Sequence, residues 1–212
     1  MAQEPERRTF LSVLTFGIGA IFSGILGFPV ACYIIDPRHR KAPPRDFKLV
    51  DEFRFNEVPH NDPVQGVVRD TRVDGWTLYP NDVIGRVWIV RFAAERVNIA
   101  TREEAEAFNG NQARKDAYMK VFTTICPHLG CSVNKAAVAA NGFACPCHSA
   151  TFNLDGARAN DQNPAKRGMD ALEWIIDTDD PTFNRIKVKY RRFQALVTEE
   201  EKIPEAERAP KV

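Results

Sequence analysis

Two short segments rich in cysteine and histidine restrict this 212-residue chain more than any other feature. The first box, residues 124–131, reads Thr-Ile-Cys-Pro-His-Leu-Gly-Cys, and the second box, residues 145–148, reads Cys-Pro-Cys-His. Together they hold four of the five cysteines and two of the four histidines. Thiolate and imidazole groups are the donors of soft, mixed sulfur/nitrogen metal sites. The sequence therefore predicts that the two boxes fold together around a metal centre.

The same four donors fit two kinds of centre. A tetrahedral zinc ion would take Cys126, His128, Cys145 and His148 in a closed structural site. A cluster of two irons and two sulfides would take the two cysteines on one iron and the two histidines on the other. The ligand types alone leave both centres open.

The two remaining cysteines of the boxes favour the cluster. Cys131 and Cys147 would come close together once a metal had joined the boxes, and a disulfide between them would hold the two loops to each other. Such a bridge closes a loop of about 15 residues, which the chain-entropy model values at roughly 3 kcal/mol. A zinc finger does not need this bridge, whereas an exposed cluster held by only two loops gains much from it.

In residue type, spacing and order, the boxes resemble those of the Rieske iron–sulfur proteins, most of all the disulfide-containing kind in quinol-oxidising cytochrome bc complexes. The resemblance implies an all-β fold, with a Rieske-type antiparallel β head domain that follows an N-terminal transmembrane helix. It implies one [2Fe-2S] cluster as the cofactor. It also implies that the loop 163–169 covers the third side of the cluster with Pro164, although Asn163 stands where the family usually has glycine.

The family resemblance also implies a function. The protein would accept an electron and a proton from quinol, with His148 as the main quinol contact and His128 beside it. It would pass the electron to a c-type cytochrome and would work with a cytochrome b subunit in a dimeric complex of several subunits. The alternative is the Rieske small subunit of a periplasmic, arsenite-oxidase-like molybdenum enzyme. A soluble Rieske ferredoxin is disfavoured by the apolar N-terminal segment and by the extra cysteine pair.

Two positions depart from the high-potential members of the family. Those members have a serine two residues after the second histidine and a tyrosine two residues further on, and both hydroxyls donate hydrogen bonds at the cluster. Here the positions hold Ala150 and Phe152, which have no hydroxyl. Because such hydrogen bonds stabilise the more negative, reduced cluster, we expect a lower reduction potential and a low-potential quinol. Ser149 and Thr151 could compensate, but each is out of register by one residue.

The N-terminal segment is predicted to be a membrane anchor. Residues 9–35 carry no charge, and as a helix they would span about 40 Å, which is ample for a hydrocarbon core of about 30 Å. A cleaved signal peptide would have a shorter apolar stretch and a clear cleavage site.

Arg7 and Arg8, followed by Thr-Phe-Leu, resemble the twin-arginine export signal. A disulfide belongs in an oxidising compartment. The expected location is the bacterial inner membrane, with a single pass and the head domain on the periplasmic side.

The net charge of +1 gives no sign of nucleic-acid binding. The rest of the sequence predicts a series of short β segments. We expect a strand over 76–79 stopped at 80–82, a second over 83–92, a short helix over 100–108 and a hairpin of 132–135 with 142–145. The helix would belong to a solvated excursion rather than to the core. The predicted organisation is a cytoplasmic N-terminus 1–9, a transmembrane helix 10–35, a proline-rich linker 36–47, a head domain 48–197 with an insertion 93–117 and a cluster-binding part 118–170, and a disordered charged tail 198–212.

Overall fold

The structure, a computed structural model, describes residues 4–39, 47–74, 77–136 and 142–199. It divides the chain into two compact units, residues 1–43 and residues 44–212. The predicted linker 36–47 falls mostly on residues 40–46, and the predicted disordered tail falls mostly on residues 200–212. Both of these stretches lie outside the described residues.

The first unit contains one long helix, α1, Glu4–His39. Its segment Glu6–Cys32 has a mean hydropathy of 2.0, so it is long and apolar enough to cross a membrane once. Large apolar side chains are exposed along this segment, including Phe16, Phe22 and Phe28. A helix with apolar side chains exposed along its length needs an apolar environment, such as the interior of a bilayer.

The helix is longer at both ends than the predicted span 10–35. It begins at Glu4 and continues to His39, and both Pro29 and Pro37 lie within it. The prediction was based on the absence of charged residues. Charge determines which residues can lie inside a bilayer, but it does not determine where a helix begins or ends. Charged residues such as Glu4 and Arg7 are good helix formers, so the helix extends past the apolar segment.

The second unit is built on two antiparallel sheets, which confirms the predicted all-β fold class. The strands are β1 Lys48–Asp51, β2 Val64–Asp74, β3 Thr77–Arg91, β4 Met119–Thr123, β5 Asn134–Lys135, β6 Gly142–Cys145, β7 Ala150–Asn153, β8 Trp174–Ile176 and β9 Ile186–Val188; a 3₁₀ turn covers Phe55–Glu57. The larger sheet has the strand order β4-β3-β2-β1-β9-β8, and the smaller one has the order β5-β6-β7.

Strand β3 corrects one prediction. Residues 80–82 were expected to end a short strand, but β3 runs through them and pairs with β2 along its length. The register shifts between Val68 and Arg69 and again between Asp70 and Arg72, and Pro80 has no registered partner. A β-bulge admits residues that cannot join the ladder, so Pro80 interrupts the pairing without ending the strand.

Two helices precede β4, namely α2, Arg102–Gly110, and α3, Gln112–Tyr118. The predicted short helix is confirmed, and Thr101 and Glu104 form a capping box at its start. The interpretation of this region as a solvated excursion was wrong, because the Phe108 ring is 1% exposed and packs against Phe55 and Trp174. The helix α3 was not predicted from the sequence.

The buried side chains form two separate clusters. The larger one lies on the six-stranded sheet and includes Trp174 and Ile176. The smaller one joins that sheet to the three-stranded sheet through the rings of Trp88, Phe122 and Phe143. The predicted hairpin is confirmed by the pairing of β5 with β6. The smaller cluster also contains cysteines of both boxes, so this core positions the candidate site.

Candidate metal centre

The first box lies in the loop that leaves β4. Its ends are joined by a hydrogen bond from the Val133 amide to the Thr124 carbonyl (2.7 Å), and its interior by one from the Cys126 amide to the Cys131 carbonyl (2.7 Å). The Gly130 amide donates to the Cys126 carbonyl, and Gly130 has a φ of +79°. Glycine adopts this backbone conformation without strain. The loop therefore turns tightly enough to bring its first cysteine back beneath its tip.

The second box occupies the turn between β6 and β7. Cys145 is the last residue of β6, and it pairs with Ala150, the first residue of β7. The four residues between them form the turn, in which Ser149 has a φ of +58°. Both boxes therefore lie at one end of the small sheet.

The two predicted cysteine ligands meet inside the protein. Cys126 is 1% exposed and Cys145 is 3% exposed, and their thiols lie within hydrogen-bonding contact. Burial, together with the neighbouring Cys145 thiol, raises the pKa of Cys126 to about 11, although backbone hydrogen bonds at His128 and Leu129 act in the opposite direction. A thiolate at this position therefore needs a metal ion to stabilise it, since a coordinating metal deprotonates a thiol outright.

The two predicted histidine ligands meet at the surface. The rings of His128 and His148 are 4.8 Å apart between centroids and nearly perpendicular. His128 is half-buried and His148 is exposed. The four predicted ligands thus form a buried sulfur pair and an outward-facing nitrogen pair.

The two remaining cysteines of the boxes are joined to each other. Cys131 and Cys147 form a disulfide that connects the first box to the second. Their sulfurs lie within 4.8 Å of the Cys145 sulfur. These three cysteines do not make a metal site of their own, because two of them are oxidised to the disulfide and cannot supply thiolates. The disulfide therefore braces the boxes, and Cys145 remains available as a ligand.

The residues present fit a [2Fe-2S] cluster with mixed ligands. A zinc ion would need all four donors about 2.0–2.3 Å from one point. Among the described residues, the donor atoms of Cys126 and Cys145 do not form a set within 4.8 Å with either His128 or His148, which leaves a sulfur pair and a nitrogen pair. A cluster with two thiolates on one iron and two imidazoles on the other requires such a division. Cys126 and Cys145 would hold the inner iron, and His128 and His148 the outer one.

The loop 163–169, which contains Pro164, packs on the same core as the ligand cysteines. Ala165, next to Pro164, is fully buried in the cluster of apolar residues that includes Cys126 and Cys145. Asn163 fixes the loop, since its side-chain amide donates to the Thr151 carbonyl and its side-chain oxygen accepts from the Ala165 amide. These contacts place the loop beside the site. The role of Pro164 as a cover remains a prediction.

The two positions expected to tune the potential are both buried. Ala150 and Phe152 lie in β7, opposite Cys145 and Phe143, and neither side chain offers a hydroxyl. Sequence reasoning missed another pair close to the site, Arg167 and Asp170, whose ion pair is also buried. Their spacing of three residues was the only signal of this contact that the sequence contained.

Comparison with known proteins gives the class of this domain. Residues 90–175 match the family model of the Rieske [2Fe-2S] domain. The region contains both boxes, the disulfide and the loop 163–169, so this part of the chain is a Rieske [2Fe-2S] domain.

The individual proteins that match this chain are only distantly similar to it in sequence. The cytochrome b6-f complex iron-sulfur subunit of Chlorobaculum thiosulfatiphilum is 28% identical over 154 residues, which are 71% of this chain and 61% of that protein. The menaquinol:cytochrome c reductase iron-sulfur subunit of Bacillus subtilis (strain 168) is 24% identical over 153 residues, which are 71% of this chain and 75% of that protein. The plasma membrane Rieske protein of Synechocystis PCC 6803 matches with a TM-score of 0.32 and 22% identity, over 53% of this chain and 85% of that one. The chain therefore contains a Rieske [2Fe-2S] domain and is distantly related to the two iron–sulfur subunits.

Proposed function

We propose that this chain is the electron-transfer subunit of a membrane quinol–cytochrome c reductase. The observation that carries the proposal is the adjacent pair His128 and His148, which lies at the protein surface while Cys126 and Cys145 are buried. A donor that approaches this surface meets imidazole rings and not sulfur. The names of the two iron–sulfur relatives support the same assignment.

The histidine pair would accept the proton that leaves quinol. When bound, the cluster would supply one-electron redox chemistry. His148, the more exposed of the two, would present its metal-free ring nitrogen to the quinol hydroxyl and receive the proton there. His128 would hold the His148 ring in place through the perpendicular ring contact. Proton and electron would thus leave quinol at the same edge of the protein.

The quinol would be one of low potential. Ala150 and Phe152 are buried beside the ligand cysteine Cys145 and its strand, and they cannot donate a side-chain hydrogen bond to the cluster or its thiolates. Without such donors the reduced state is less stabilised and the potential falls. One of the relatives is named as a menaquinol:cytochrome c reductase subunit, which agrees with a low-potential donor.

The head domain would lie on the outer side of the bacterial inner membrane. The disulfide between Cys131 and Cys147 requires an oxidising compartment, and Arg7 and Arg8 resemble an export signal for folded domains. The helix α1 would then be the only membrane pass among the described residues. The partners would be a cytochrome b subunit and a c-type cytochrome, in a dimeric complex of several subunits.

Purification from native membranes tests this assignment. A tagged full chain should carry a cytochrome b subunit with it, whereas recovery of a molybdenum subunit would favour the arsenite-oxidase-like alternative. Membranes that lack the chain should lose quinol-dependent reduction of cytochrome c. The wild type should restore this activity and His148→Gln should not. His60→Gln is the matched control, because His60 bonds the Phe92 carbonyl away from the boxes and this variant should restore the activity.

A further inference from the structure

One buried arginine, Arg167, joins residues 167–170 of the head domain to residues 194–197. The Arg167 guanidinium forms a two-point ion pair with Asp170 (2.8 and 2.9 Å) and also donates to the carbonyls of Val197 (2.9 Å) and Gln194 (2.8 Å). The side chains of Arg167 and Asp170 are 8% and 3% exposed. Four charge-assisted hydrogen bonds from one planar group fix the positions of all their acceptors.

The acceptors at Gln194 and Val197 belong to residues 193–197, which we call the C-terminal strap. Phe193 anchors the start of the strap in the larger core. Leu196 has a φ of +65°, which a bulky residue rarely adopts and which persists only where its surroundings hold the backbone. The two bonds from Arg167 lie on either side of Leu196 in sequence, and they supply that constraint.

The strap in turn holds the first box. The Leu196 amide donates to the Pro127 carbonyl at 3.0 Å, and Pro127 lies between the ligands Cys126 and His128. On the other side of Arg167, the Asp170 carbonyl accepts from the Thr123 amide (3.0 Å), where β4 leads into the box. The Arg167–Asp170 pair is therefore connected to the backbone of Thr123, just before the first box. Through the strap it is also connected to the backbone of Pro127, inside the box.

We propose that Arg167 is a positioning residue of the iron–sulfur site, which acts through the C-terminal strap to hold the first box and its ligand His128 in place. The other hydrogen bonds of the box join it to itself or to its neighbouring strands. The bond from Leu196 comes from a segment more than sixty residues away in sequence, so it restrains the outer, histidine-bearing part of the box independently. This role does not depend on which donor reduces the cluster.

Two variants of the full chain, purified with its cluster, separate positioning from folding. Arg167→Gln with Asp170→Asn removes the anchor of the strap and leaves no unpaired buried charge, which a single change would create. A chain that ends after Phe193 removes strap residues 194–197 and keeps both the Arg167–Asp170 pair and the Phe193 anchor. The matched control ends after Glu199, which preserves every described contact of the strap. Arg167→Lys tests partial rescue, because lysine keeps the charge without the planar fork.

Hydrogen exchange and paramagnetic resonance of the reduced cluster are the readouts. In both strap variants, the amides of residues 124–131 should exchange about tenfold faster, because the box loses the restraint on its Pro127 carbonyl and opens locally more often. The g-values or linewidths of the reduced cluster should also change, because the orientation of His128 changes. The control should match the wild type, and Arg167→Lys should be intermediate. If both variants keep the exchange and the spectrum of the wild type, whatever their unfolding temperature, the proposal is wrong.

Discussion

At the scale of single residues, Ala150 and Phe152 are the changes most directly linked to the function. We expect Ala150→Ser with Phe152→Tyr to raise the midpoint potential, because the new hydroxyls would donate to the cluster and to a ligand thiolate and so favour the reduced form. The shift should be on the order of 60 mV, the value for a tenfold preference in a one-electron couple. Protein-film voltammetry measures it.

The neighbouring hydroxyls provide the control for this experiment. Ser149→Ala and Thr151→Val remove the two hydroxyls that are out of register, and neither should move the midpoint potential by a comparable amount. A double variant with an unchanged potential would contradict the tuning argument. A large fall in the Ser149 or Thr151 variant would show that one of these residues compensates for the missing donors.

Contacts between the two boxes could be predicted from their residue types, whereas the contacts of Arg167 could not. The pairing of Cys131 with Cys147 follows from the composition of the boxes, and the structure contains it. Arg167 could not be assigned, because its contacts with Gln194 and Val197 depend on a chain path that no local pattern encodes.

At the scale of elements, the disulfide between the boxes should contribute measurably to stability. Replacing Cys131 and Cys147 by serine should cost roughly 3 kcal/mol of unfolding free energy, since the bridge spans 16 residues and restricts the unfolded chain. Chemical unfolding followed by tryptophan fluorescence measures this loss. Cys32→Ser, in the exposed part of α1, is the control and should leave the head domain unchanged. A loss no larger than that of the control would contradict a bracing role.

The helix α2 allows a second test at this scale. Phe108→Ala should destabilise the head domain by about 3–5 kcal/mol, because the ring fills the larger core. Glu106→Ala, on the exposed face of the same helix, should change stability by no more than about 0.5 kcal/mol. Thermal unfolding of the two variants compares these effects. Equal, small changes would restore the interpretation of this region as a solvated excursion.

Elements with a strong local signal were the ones that could be predicted. Thr101 and Glu104 mark the start of α2 directly, and the capping box confirms it. Pro80 wrongly predicted the end of a strand. Proline interrupts the ladder of hydrogen bonds, but a β-bulge allows the strand to continue past it. The helix α3 has only seven residues and only two buried side chains, Lys115 and Tyr118, so its apolar pattern was too short to recognise.

At the scale of the whole molecule, the main expectation is that the head domain lies on the periplasmic side of the membrane. Arg7→Lys with Arg8→Lys should keep the head domain in the cytoplasm if the pair is a twin-arginine signal. Cys131 and Cys147 would then remain reduced and would react with a thiol reagent after denaturation. Lys41→Arg, which keeps the charge after the helix, is the control and should permit export. An oxidised pair in the double variant would exclude this export route.

The most direct test of the account is a redox titration of native membranes followed by paramagnetic resonance. A Rieske cluster held by Cys126, His128, Cys145 and His148 should give a paramagnetic signal on one-electron reduction. Its midpoint should lie in the lower part of the range of roughly −150 to +300 mV that Rieske centres span. The absence of a signal at every potential would contradict the cluster. A midpoint near the upper end of the range would contradict the low-potential quinol.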